Sequence, residues 1–161
     1  DQYALEVLTS ILGSSFSGRL FSSVRDVLGK AYSVGGQFSP GLETGQIIFY
    51  VLTTQDDVPK VKEVLAQEIL KIQEEFVSEQ ELADAKNYLK GSNKSDQQTN
   101  GAMSFQTSLD ELYGLGYDRY QSYDDWIDQV TTEDIRRLAK QYLDLNRCAV
   151  VITLPAKQGS L

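Results

Sequence analysis

Along the first residues, Ala4, Leu5, Val7, Leu8, Ile11 and Leu12 recur at helical spacing, and Gly13 followed by two serines ends the run. The chain therefore opens inside a helix, Tyr3 to Leu12. A second helix is predicted over Gly18 to Leu28, with Leu20, Phe21, Val24, Val27 and Leu28 facing inward and Gly29 as its stop. Two runs rich in β-branched and aromatic residues follow, Ala31 to Phe38 and Gly45 to Thr53. The turn signal Ser39-Pro40-Gly41 between them predicts a hairpin. The stretch Ile47 to Leu52 hardly alternates, so its strand is expected to be covered on part of both faces.

Asp57 ahead of Val58-Pro59 reads as an N-cap with proline in the first turn. Val61, Leu65, Ile69, Ile72 and Phe76 then hold one helical face. Ser78 and Glu81 form a capping box for a further helix with Leu82, Ala85 and Leu89 inward. Between Lys90 and Gly101 the composition turns polar, a kink or a loop, before periodicity resumes through Met103, Phe105, Leu109, Leu112 and Tyr113. Gly114-Leu115-Gly116 stops that helix, Tyr123 to Val130 makes a short one, and Thr131 caps another over Ile135 to Leu143. The apolar run from Cys148 to Leu154 predicts a closing strand. The order gives an α+β fold with several helices over a small mixed or antiparallel sheet. That sheet is expected to hold the hairpin, the C-terminal strand and a strand lying before Asp1.

The length, 161 residues, suits one domain over residues 1–161, and Asp1 in place of an initiator methionine suggests a piece of something longer. No apolar run approaches the roughly 18 residues of a membrane span. A soluble protein is expected, and bacterial cytoplasm or periplasm would suit it. The net charge of -8 and the scattered placement of 15 Lys and Arg residues argue against nucleic acid as a partner.

The chain has no histidine. This removes Ser-His-Asp and Cys-His catalysis and histidine-ligated zinc from what it can do alone. The single cysteine, Cys148, sits in an apolar run and is expected to be a small buried thiol. Acidic pairs at Glu74-Glu75, Asp110-Glu111 and Asp124-Asp125 point about 100° apart on a helix and read as solvated surface. The stretch Gly13 to Gly18 lacks the Gly-Lys-Ser/Thr ending of a phosphate loop and reads as a linker.

The stretch Leu12-Gly13-Ser14-Ser15-Phe16-Ser17-Gly18-Arg19-Leu20-Phe21, continuing through Val24-Arg25 to Gly29-Lys30-Ala31-Tyr32-Ser33-Val34, resembles the start of the second-half domain of pitrilysin/insulinase-type zinc peptidases, relatives of mitochondrial processing peptidase. Ser78 to Leu89, the Glu111 to Gly116 run and Thr131 to Leu143 resemble the same domain in order. The resemblance implies one α+β half of a clamshell that closes on an extended peptide. The H-x-x-E-H zinc motif of the first half is absent here. The resemblance thus implies zinc in a partner half, on the same polypeptide or a separate subunit, with no cofactor in this chain. It also implies a peptide substrate and admits a dimer.

Arg25 and Tyr32 match the arginine and tyrosine that the family's second half contributes seven positions apart. By resemblance they are the catalytic pair, donors to the carbonyl oxygen whose charge grows in the transition state. An arginine in a last helical turn and a phenol leading a strand, with Gly29 between, could converge on one point. Spacing alone favours the plainer reading, an arginine meeting a helix dipole and a tyrosine packed at a sheet rim. A non-catalytic scaffold subunit of the same fold is the alternative function.

Overall fold

The computed structural model of the protein describes residues 1–14, 17–29, 33–41 and 44–155. Helix α1 (Gln2–Gly13) is the axis of the core, because it is apolar nearly all round. Val7, Leu8 and Leu12 are fully buried, and α1 touches β1, α2, α4, α6 and α7. The other elements are α2 (Arg19–Leu28), β1 (Val34–Ser39), β2 (Gln46–Val51), α3 (Val58–Glu74), α4 (Glu79–Asp96), α5 (Asn100–Leu112), a 3-10 turn (Arg119–Ser122), α6 (Tyr123–Asp128) and α7 (Thr132–Tyr142). The result is an α+β fold with helices packed on one face of a small antiparallel sheet.

The hairpin pairs Val34 with Val51 and Ser39 with Gln46, so directly opposed residues share a face. Val34, Phe38, Ile47, Phe49 and Val51 point to the helices. Gly36 shares that face and lies against Gly13 of α1 so closely that a Cβ at Gly13 would fall on the Gly36 main chain. A glycine pair thus sets the helix-to-sheet distance. The expected cover on both faces of β2 is not found: exposure alternates strictly along it, leaving Ile48 and Tyr50 43% and 51% exposed on the outer face. An edge strand in a two-stranded sheet has helices on one side only.

The C-terminal strand is also corrected. Among the described residues the sheet holds β1 and β2 alone, and 148–154 is without secondary structure, unpaired and exposed. Strand propensity needs an edge to pair with, and this run finds none. A turn stapled by Asp144, which accepts from the Asn146 amide at 2.9 Å, sends the chain away after α7. Cys148, expected buried, is exposed with it.

The helices follow their start signals closely. The Ser78/Glu81 box caps α4, and Thr131 with Asp134 makes a second box for α7. The polar stretch from Lys90 to Gly101 is mostly helix: α4 runs on to Asp96, and the break is confined to 97–99, where Thr99 accepts from the Ala102 amide and caps α5. On α3 the inner face turns toward Val61, Val64, Glu68 and Ile72, leaving Phe76 beyond the helix end, exposed beneath the Arg136 guanidinium at 3.7 Å. Helix α5 departs furthest from expectation. Phe105 and Leu112 of its apolar stripe are 70% and 77% exposed, while Asp110, read as surface, is buried.

Candidate functional site

Helix α2 carries the first predicted site residue, and three fixings hold it. At its start, Arg19 donates from Nε to Glu81 Oε1 at 2.7 Å and from Nη2 to Oε2 at 3.1 Å. The same Glu81 closes the α4 capping box by accepting from the Ser78 amide at 3.0 Å. One carboxylate therefore caps the start of α4 and anchors α2. The Arg19 hydrogen bond, reinforced by Ser78 and opposed by partial burial, holds the Glu81 carboxyl at about 2. Midway, Ser23 donates to Glu68 Oε1 of α3 at 2.9 Å, an oxygen that also accepts from Lys71 at 2.8 Å. Underneath, Leu20 and Val24 are 0% and 1% exposed.

Arg25 stands in the last turn of this helix. Its own carbonyl accepts from the Gly29 amide at 2.8 Å, and Gly29 adopts the left-handed conformation (φ 64°) that ends the helix without the Cβ strain other residues would meet there. The Arg25 side chain is exposed, with its guanidinium 5.5 Å from the Phe21 ring centroid. Among the described residues no carboxylate lies within 4.0 Å of it. Val27, expected to face inward, is 43% exposed beside it. The helix end thus presents an exposed cation beside the Phe21 ring.

Tyr32 lies outside the described residues. The hairpin reaches toward it, since the Leu52 amide donates to the Ser33 carbonyl at 2.8 Å. From that end the outer sheet face carries Leu52, Tyr50 and Ile48 in succession, with the Tyr50 ring lying across Gly35 where a Cβ would collide with it.

A second constellation escaped the sequence reading. Arg119 donates to Tyr3 Oη at 2.9 Å and to Gln2 Oε1 at 3.1 Å, and Tyr3 stacks on Trp126 with centroids 4.7 Å apart. Tyr123 donates to Glu6 Oε2 at 3.0 Å, and Gln2 donates to the other Glu6 oxygen at 3.2 Å. Burial raises the Glu6 carboxyl against the pull of these hydrogen bonds. Burial and the adjacent Glu6 charge raise the Tyr123 phenol. The available signal was the polar stripe Gln2, Tyr3 and Glu6 on an otherwise apolar helix, with an aromatic run from Tyr117 to Trp126 to receive it. Among the described residues no group of three or more Cys, Asp or Glu side chains is placed to hold a metal, and no helix is long and apolar enough to cross a membrane.

The sequence profile of the family described as Peptidase M16 inactive domain matches residues 1–89, more than half of the chain and the whole of α1, α2, the hairpin and α3. The chain belongs to the peptidase M16 inactive-domain family. It is 28% identical over 137 residues to the uncharacterized zinc protease YmxG of Bacillus subtilis (strain 168), covering 84% of this chain and 32% of that protein. An uncharacterized zinc protease of Mycobacterium leprae (strain TN) is 27% identical over 163 residues, covering 99% and 36%. The chain therefore spans about a third of the length of these relatives. Among solved structures, the peptidase M16 inactive domain from Pseudomonas fluorescens superposes with a TM-score of 0.76 at 22% identity, over 88% of this chain and 34% of that one. An inactive peptidase domain from Bordetella parapertussis gives 0.75 at 19% identity, over 89% and 78%. These likenesses show the M16 inactive-domain fold.

Proposed function

We propose that this M16 inactive domain is the substrate-holding half of a zinc-dependent endopeptidase, supplying Arg25 and Tyr32 as donors to the carbonyl under attack in a companion half. The observation that carries this reading is the state of Arg25: a guanidinium at the end of a thrice-fixed helix, without a carboxylate partner among the described residues, inside the segment matched by the family. Among the described residues this one has no acid partner, and its helix is a rigid base, as a preorganised electrostatic site requires.

The residues of this chain do not fit a catalytic zinc. The sequence has no histidine, and the lone cysteine is exposed away from any cluster among the described residues. The metal is accordingly assigned to the companion half, where it would activate water. The work of this chain is to bind and orient. The apolar outer sheet face at Ile48, Tyr50 and Leu52 would lie along an extended peptide. Arg25, joined by Tyr32, would hold the carbonyl oxygen as negative charge builds on it. The chain is proposed as one half-domain of a longer, two-half peptidase, its sheet completed by a further strand.

The test is reconstitution. The zinc-bearing half alone should cleave an unstructured peptide slowly, addition of this chain should raise turnover, and Arg25→Ala and Tyr32→Phe should each remove most of the gain. The rival reading is a scaffold subunit of the same fold, which the exposed apolar residues of α5 favour. It predicts assembly without any change in turnover, and full activity in both variants would establish it.

A further inference from the structure

Beyond the α2 end, an open cleft of about 750 Å³ is lined by α1, α4, α5, the 3-10 turn and α6, together with Pro40 and Gly41 of the hairpin connection. Its volume is in the range that takes a side chain or a small ligand. We propose that this cleft binds an organic cation, an ammonium or guanidinium group, with Asp110 as its counter-charge and Phe105 and Tyr113 as its aromatic walls.

The argument begins with Asp110, which lines the cleft yet is only 6% exposed. Its Oδ2 accepts from Gln106 Nε2 at 3.0 Å. Among the described residues Oδ1 accepts from nothing, and no lysine or arginine lies within 4.0 Å. An aspartate this little exposed ordinarily has a cationic partner. Asp110 also sits in the last turn of α5, where the helix carbonyls add negative potential.

The cleft's own cation does not fill that role. Arg119 spends its donors on the Tyr3 hydroxyl and the Gln2 carbonyl oxygen, and its guanidinium lies 5.7 and 5.6 Å from the Tyr3 and Trp126 ring centroids. Glu6, a second carboxylate lining the cleft, accepts from Gln2 and Tyr123 and likewise has no ion pair among the described residues. Two buried or half-buried carboxylates therefore face one arginine that pairs with neither. On the open side, Phe105 and Tyr113 are 70% and 44% exposed at the cleft, an unusual exposure for aromatic residues and suited to a cation lying over their faces. A little-exposed acid and exposed aromatic rings lining one cleft suit the methylene stem and charged head of a basic side chain.

The single tryptophan of the chain, Trp126, is part of the cleft wall, so its emission reports occupancy directly. The protein is titrated with three probes: an uncharged-ended pentapeptide carrying one central lysine, the same peptide with norleucine in its place, and 1,5-diaminopentane. A saturable change with the lysine peptide or the diamine, absent with norleucine, is expected. A response to the peptide alone assigns a protein side chain as ligand, and a response to the diamine alone assigns a free amine. Asp110→Asn should weaken binding at least tenfold. Phe105→Ala, at a position too exposed to matter for folding, should weaken it severalfold, with thermal melts confirming that both variants fold. Equal response to the norleucine peptide, unchanged affinity in Asp110→Asn, or no response to any probe at millimolar concentration would overturn the proposal. None of these outcomes bears on Arg25.

Discussion

The Arg19–Glu81 pair joins residues 62 positions apart and fixes the base of the helix that carries Arg25, so its strength bears on the proposed site. The perturbation is Glu81→Gln, which preserves the capping geometry and removes the charge. In the folded protein the Glu81 carboxyl is held at about 2 against an ordinary 4.5. At 1.36 kcal/mol per tenfold, that gap corresponds to about 3 kcal/mol. The Glu81 side chain is 38% exposed and that of Arg19 18%, so solvent screening reduces the contribution to about 1–2 kcal/mol. A carboxyl lowered in the folded state contributes fully above pH 4.5, and the contribution disappears as pH falls toward 2. Chemical denaturation at pH 7 should therefore find Glu81→Gln less stable by about 1–2 kcal/mol, a fall in Tm of about 3–6 °C. The difference should shrink steadily between pH 5 and pH 2 and vanish at the lower limit. A stability difference independent of pH would refute the assignment of the effect to the Arg19 charge pair.

Two further outcomes follow from the packing and the second polar network. Gly36→Ala should destabilise the protein by about 1–3 kcal/mol, because a methyl group there meets α1 at Gly13 and the Phe49 ring; an unchanged denaturation midpoint would show that helix and sheet can separate freely. Glu6 works in the opposite sense to Glu81, since burial raises its carboxyl, so the fold gains stability from this group as pH falls from neutrality toward 4.5. Glu6→Gln should flatten that part of the stability profile, and an identical profile in the variant would contradict the burial argument.

Much of the helical architecture was legible because its signals are local. Ser78 with Glu81, Thr131, Pro59 and the glycine stops at Gly13 and Gly29 act within a turn of the residues they govern, and each element begins or ends where they predict. The edges of the sheet were not legible. Ile47 to Leu52 and Cys148 to Leu154 have strand composition, but cover and pairing depend on which other strands arrive, and local composition carries no record of that. Asp110 was misread for the same reason: an acid next to Glu111 looks solvated until α5 is seen to turn it under the 3-10 turn while Phe105 and Leu112 stay outside. At the candidate site, Arg25 was found through its family spacing to Tyr32, whereas the arginine that anchors its helix, Arg19, becomes visible only once α2 and α4 meet.

The most direct test of the peptide-holding account is the steady-state kinetics of the assembled two-half enzyme with Arg25→Lys, which keeps the charge but loses the planar fork. If Arg25 acts on the developing oxyanion, kcat should fall by about 10²-fold or more while KM changes little and the zinc content of the companion half is unaltered. An unchanged kcat, or a rise in KM alone, would contradict the account and leave Arg25 as a surface residue of a binding domain.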